Sequence, residues 1–145
     1  METARIYEIA EENNIDIIYA SLPLTKCMSM QLDKDEYYIG IDPVYITSSA
    51  DERVKLAHDV GHCVTGSFYN KYSPLDLRGK HEYRADSWAI KKLIPLDELM
   101  NVIKHGCENV WELAEYFNVT EDFIHKTLTY YENDIINIRN NEEGI

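Results

Sequence analysis

Two histidines, His58 and His62, stand four positions apart in the run LAHDVGH. On a helix, residues at i and i+4 share one face with neighbouring side chains. Two imidazoles so placed could bind a single metal ion. Asp59 lies between them, where a general base acting on an activated water would stand. Gly61 is a poor residue for a helix interior, costing about 1 kcal/mol relative to alanine. A close approach by another backbone or by a substrate would account for it. Further along, Glu82 and Asp86 repeat the i,i+4 spacing. A catalytic zinc takes three protein ligands and leaves one position open. Glu82 could complete a His58–His62–Glu82 set, and Asp86 could accept a hydrogen bond from the outer nitrogen of a ligand histidine, fixing its tautomer. The plainer alternatives are an ordinary pair of helical histidines and a solvated acidic face at Glu82 and Asp86.

These side chains need elements to hold them. Ser48, Ser49, Asp51 and Glu52 make a helix start, with acidic residues at its positive end. The helix is expected over 50–65, stopping near Gly66. A polar loop would follow over 67–79. A second helix is expected over 80–93, halted by Pro95; Trp88, Ala89, Leu93 and Ile94 mark it as partly buried. Upstream, Ile6, Ile9 and Ala10 have helical spacing over 2–12. Three β-prone runs, IDIIY, CMSMQL and YYIGI, predict a small antiparallel sheet, with a polar turn at 33–36. Downstream, helices are expected over 96–105, 110–117 and from an N-cap at Thr120 to about Asn133. The fold class is α+β: one domain over 1–139, with a helical subregion at about 96–133 and a loose tail at 140–145.

At this level of detail the chain resembles the ImmA/IrrE family of metallopeptidases. That family pairs a zinc-binding HExxH helix with the pattern E-x-x-A-x-x-[FW]-A-x-x-x-L-[LI]-P. Glu82, Ala85, Trp88, Ala89, Leu93, Ile94 and Pro95 fall in place, and LAEYFNVTEDFIHKTL (113–128) is similar to the family's closing helices. The resemblance implies a zincin-like domain with His58, His62 and Glu82 as zinc ligands, Asp59 as general base and peptide hydrolysis as the reaction. It also implies a partner: a helix-turn-helix repressor of a phage or mobile element, cleaved by an anti-repressor. The departure is Asp59, which stands where the family has glutamate. Its carboxylate is withdrawn by one carbon–carbon bond, about 1.5 Å, and a misplacement of about 1 Å can cost on the order of 100-fold in rate. A non-catalytic module that holds metal and binds the repressor is therefore the alternative.

Composition narrows the partners. The chain has 145 residues and a net charge of −12. Nucleic-acid affinity comes largely from cations neutralising phosphates, so direct DNA or RNA binding is not expected. The charges of 110–128, Glu112, Glu115, Glu121 and Asp122 against Lys126, make even its helix-turn-helix-like spacing unsuited to phosphate; a partner protein suits it better. An anionic membrane is disfavoured for the same reason. There is no apolar membrane span, and the acidic N-terminus lacks the apolar stretch of a signal peptide. Three cysteines without a CxxC pair point to the cytoplasm and to reduced thiols. Cys63, next to His62, faces away from it and reads as core. Tyr69, Tyr72, His81 and Tyr83 are the nearby candidates for stabilising an oxyanion, none favoured over packing; His105 suits a helix end and His125 a surface. An HD-type phosphohydrolase would need a histidine well upstream of its dyad, and His58 is the first in the chain.

Overall fold

The computed structural model of the chain describes residues 1–22, 27–68 and 73–143. Helix α1 (Thr3–Glu12) leads into strands β1 (Ile15–Tyr19), β2 (Cys27–Asp33) and β3 (Glu36–Ile41). Six further helices follow: α2 (Ser49–Thr65), α3 (Leu75–Leu93), α4 (Leu96–Lys104), α5 (Val110–Phe117), α6 (Glu121–Tyr130) and α7 (Glu132–Glu143). The architecture is α+β, as the periodicities predict. No helix of the described residues is long and apolar enough to cross a membrane.

The sheet corrects one expectation. Its order is β1-β3-β2, and it is mixed rather than antiparallel. β2 and β3 form the expected antiparallel hairpin, whereas β1 pairs with β3 in parallel. The local turn signal at 33–36 determines the hairpin, because a two-residue connection permits only antiparallel neighbours. No local signal says which side of the hairpin β1 joins. Burial decides it: Ile39 and Ile41 of β3 have no exposed surface, so β3 takes the centre and needs a strand on each side.

Helix α2 starts as its sequence says. The Ser48 hydroxyl accepts a hydrogen bond from the Asp51 N–H at 3.0 Å, and Asp51 and Glu52 lie in the first turn. It ends at Gly66, whose φ of 65° is left-handed. The N–H of Gly66 donates to the Cys63 carbonyl and that of Ser67 to the His62 carbonyl, the paired bonds of a glycine-terminated helix. Helix α3 begins at Leu75, earlier than residue 80, and so absorbs much of the expected loop. Gly79 lies inside it; a cost of about 1 kcal/mol does not stop a helix that begins directly after Pro74. Near the C-terminus α6 ends at Tyr130, short of the expected Asn133, and a separate helix α7 runs on to Glu143, so residues 140–143 of the tail expected to be loose are helical, with Lys104 and Glu142 paired at 2.5 Å.

The core runs from the inner sheet face through α2 and α3 to the C-terminal helices. Leu56, Ala57, Val60, Ala89, Leu93, Leu99 and Ile124 are among its fully buried members. One polar residue stitches its two ends together. Arg53 of α2 is 3% exposed. Its Nε donates to the Asn118 carbonyl at 3.0 Å and one terminal nitrogen to the Phe117 carbonyl at 3.3 Å. The other terminal nitrogen donates to the Thr3 hydroxyl at 3.2 Å. The guanidinium thus sits at the negative end of α5, where a cation is favoured, and holds α1, α2 and α5 together. Its removal would leave two helix-end carbonyls unpaired. Arg53→Ala should destabilise the protein by about 2–4 kcal/mol, read as a lower denaturant midpoint; a change below about 0.5 kcal/mol would show that the guanidinium carries no such weight.

Candidate metal centre

The site is made where α2 crosses α3. A methyl group built on Gly61 would lie 2.7 Å from the Ala85 carbonyl oxygen and 3.2 Å from the Ala85 Cα. The two helix backbones are therefore nearly in contact, and Ala85 itself is fully buried. Glycine is required at position 61 by this approach and not by its φ. Alanine at 85, also part of the second motif, is the matching small residue. With the backbones this close, the histidines of α2 and the carboxylates of α3 meet face to face.

His58 Nε2 lies 2.9 Å from Glu82 Oε2, and His62 Nε2 lies 3.2 Å from Glu82 Oε1. The two Nε2 atoms are 3.1 Å apart, with the rings edge to face at 87°. Each outer nitrogen is occupied. His58 Nδ1 is 2.8 Å from Asp86 Oδ1, and His62 Nδ1 is 2.5 Å from the Ser67 carbonyl oxygen. A carbonyl and a carboxylate only accept, so each Nδ1 carries the proton and donates. In their neutral forms both rings then direct an Nε2 lone pair toward Glu82 and toward each other.

That donor set fits a metal ion. Two lone pairs and a carboxylate repel one another unless a cation lies among them. Zinc bonds of about 2.0–2.1 Å at tetrahedral angles separate ligand atoms by about 3.3 Å, close to the spacings present. Among the described residues, His58, His62 and Glu82 are the group whose ligand atoms lie near enough to hold one ion. The electrostatics agree. Burial by itself would lower the His58 pKa, but the hydrogen bonds to Asp86 and Glu82, with the nearby Asp59 charge, overcome it and raise the pKa to about 10. The pocket thus favours positive charge at this point.

The remaining sequence candidates fall as follows. Asp59 is 5% exposed, and its charge acts on both His58 and Cys63. Cys63 is core, as its position suggests; burial, aided by Asp59, pushes its thiol up to about 12, which suits neither a ligand nor a nucleophile. Tyr83 is 62% exposed and packs near Tyr130. His105 Nδ1 donates to the Asn101 carbonyl at the end of α4, and His125 is exposed. Tyr69 and Tyr72 lie outside the described residues. Two contributors escape sequence reasoning. The Ser67 carbonyl reaches His62 because the chain reverses at Gly66. Lys126 of α6 pairs with Asp86 Oδ2 at 3.2 Å, a contact across the fold that no spacing announces.

A helix bearing two histidines, a following helix bearing a glutamate and a small sheet beside them define a zincin-like metallopeptidase domain. The Peptidase_M78 family model, described as the IrrE N-terminal-like domain, matches residues 10–129. The chain belongs to this family, the ImmA/IrrE family to which its two motifs are similar. No curated protein matches it at a significant level. A metallopeptidase family implies a metal cofactor, and His58, His62 and Glu82 are the residues here with the chemistry to hold it.

The crossing of α2 and α3 gives a prediction whose sign opposes helix propensity. Alanine would favour an isolated helix by about 1 kcal/mol over glycine. Gly61→Ala should instead destabilise this protein by about 1–3 kcal/mol, because α3 must move away, and should weaken metal binding with it. Denaturant unfolding and metal titration check both; an unchanged or raised stability would refute the close crossing.

Proposed function

We propose that the chain is a zinc-dependent endopeptidase of the cytoplasm that cleaves a regulatory protein, a helix-turn-helix repressor of a phage or mobile element. The observation that carries the reading is the convergence of the His58, His62 and Glu82 ligand atoms, with both outer imidazole nitrogens already anchored. Family membership supports the reaction class, and His-His-Glu with an open position favours zinc among divalent metals. The acidic chain favours a protein over a nucleic acid or an anionic membrane as its target.

His58, His62 and Glu82 would hold the ion, and Asp86 and the Ser67 carbonyl would keep the imidazoles in the tautomer that offers Nε2. When bound, the zinc supplies Lewis-acid polarisation of the scissile carbonyl. Asp59 is the candidate to take the proton of the attacking water and pass it to the leaving amine. β2 is an edge strand that packs near α2. An extended substrate segment could add to its outer side through main-chain hydrogen bonds, bringing a peptide bond alongside the histidines. The α5–turn–α6 unit, with Asn118 left-handed at φ 52°, is the candidate grip on the repressor.

A second reading has its own observation. Asp59 has a stem one carbon shorter than glutamate and is almost wholly buried, so the chain could hold metal and bind the repressor without cutting it. One experiment separates the two. Metal-loaded protein is incubated with the helix-turn-helix repressor, with His58→Ala as control. Cleavage by the wild type, lost in His58→Ala and raised about 10- to 100-fold in Asp59→Glu, supports the peptidase. Retained binding without cleavage, even in Asp59→Glu, supports the binding module. Metal analysis finding less than about half an equivalent in the wild type, set against the single ion such a three-ligand site takes, would remove the metal site itself.

A further inference from the structure

Asp86 links His58 of the metal centre directly to helix α6. Asp86 is divided between two partners. Its Oδ1 meets His58 Nδ1 at 2.8 Å, and its Oδ2 meets Lys126 Nζ at 3.2 Å. His58 comes from α2, Asp86 from α3 and Lys126 from α6, so three elements meet along one chain of contacts. The Asp86 side chain is 19% exposed and that of Lys126 is 52% exposed. The carboxylate therefore sits in a partly dry place with one oxygen committed to the ligand histidine. The ammonium is what the protein provides for the other oxygen.

We propose that Lys126 is a positioning residue for the metal centre: it holds Asp86 in the rotamer that accepts the hydrogen bond of His58 Nδ1, and so couples α6 to the metal site. The inference rests on the metal-binding reading above. A carboxylate hydrogen-bonded at one oxygen can turn about its last torsion; a second contact on the opposite oxygen removes that freedom. The consequence passes to the imidazole, because the Asp86 bond is what fixes the His58 ring and its tautomer. It also gives α6 a route to the metal. A partner that draws Lys126 away on docking against α6 would loosen His58 without touching any ligand.

Two possible roles of Lys126 predict opposite signs, which makes the inference testable. A bare positive charge beside the site would repel a dication, so its removal would tighten metal binding. A positioning group would loosen binding when lost. Lys126 is half exposed, so solvent and salt screen its charge at the distance of the metal, whereas its contact with Asp86 acts directly. The positioning effect should dominate.

The experiment uses the full chain loaded with zinc, its metal release followed against excess chelator. Losing a direct partner of a metal-ligating histidine costs about 10- to 100-fold in affinity, and Lys126 stands one contact further out, so Lys126→Met should release zinc about three- to tenfold faster. Lys126→Arg, which keeps a cationic donor, should stay near the wild-type rate. In an Asp86→Asn background Lys126→Met should change nothing further, because the group through which it acts is already altered. The His58 Nδ1 proton, followed by NMR, should exchange faster with water in Lys126→Met and recover in Lys126→Arg. The metal-free unfolding midpoint of each variant shows that the fold is intact. Unchanged or slower zinc release in Lys126→Met, with the wild type binding one zinc, overturns the positioning role alone. A wild type that holds no zinc overturns the metal-binding reading beneath it.

Discussion

The contact between the backbones of α2 and α3 at Gly61 and Ala85 is the constraint on which the site depends. A side chain larger than hydrogen at position 61 would force the helices apart, since its Cβ would lie 2.7 Å from the Ala85 carbonyl oxygen. With hydrogen there, His58 and His62 come within hydrogen-bond distance of Glu82, and His58 of Asp86. The ligand atoms are brought together by a main-chain approach, which is stiffer than any set of side-chain contacts. That stiffness matters for a site whose donors suit a cation. Without an ion, a proton on His58, whose pKa is raised to about 10, offsets the Glu82 and Asp86 charges, and the fold keeps the same atoms in place for a metal to take over that role.

The rest of the fold supports this crossing. Ile6, Ile9, Ile15, Ile39 and Ile41 of α1 and the sheet share one buried core with Leu56, Ala57 and Val60 of α2 and with Leu99, Leu113, Phe123 and Ile124 of the C-terminal helices. Arg53 ties the entry of α2 to the end of α5, and the Tyr131 hydroxyl donates to the Ile94 carbonyl at 2.9 Å where α3 ends. One such contact thus holds the start of α2 and the other the end of α3, each satisfying a helix-terminal carbonyl that would otherwise be costly to bury. On the polar side the site is unevenly built. His62 is fixed by a backbone carbonyl, which cannot titrate. His58 is fixed by a carboxylate whose other oxygen belongs to a lysine. The adjustable half of the site is therefore the His58 half.

Asp59 keeps activity and metal binding apart as questions. The convergence of His58, His62 and Glu82 depends on the helix crossing at Gly61 and Ala85. Proton transfer depends on reach, and reach is what an aspartate in a glutamate position loses. Its burial also places its charge against His58 and Cys63, where it adds to the preference for a cation.

Much of this was legible in the sequence, because helix periodicity and the i,i+4 rule act locally. His58 with His62, and Glu82 with Asp86, each declare a shared face by spacing alone. Gly61 declares a close neighbour without saying which; the structure answers that it is Ala85. Ser48 and Gly66 announce the ends of α2, and the 33–36 turn announces the hairpin. The parallel place of β1, the break at Tyr131 and the early start of α3 were not legible. They are decided by burial of Ile39 and Ile41, by packing of the last helices and by a glycine penalty too small to end a helix. The sequence by itself determined the two half-sites, since four residues of helix suffice to align them. Only the tertiary structure decided that the halves meet, that the Ser67 carbonyl anchors His62, and that Lys126 reaches Asp86 from a distant helix, because those contacts depend on how whole elements pack and leave no trace in spacing.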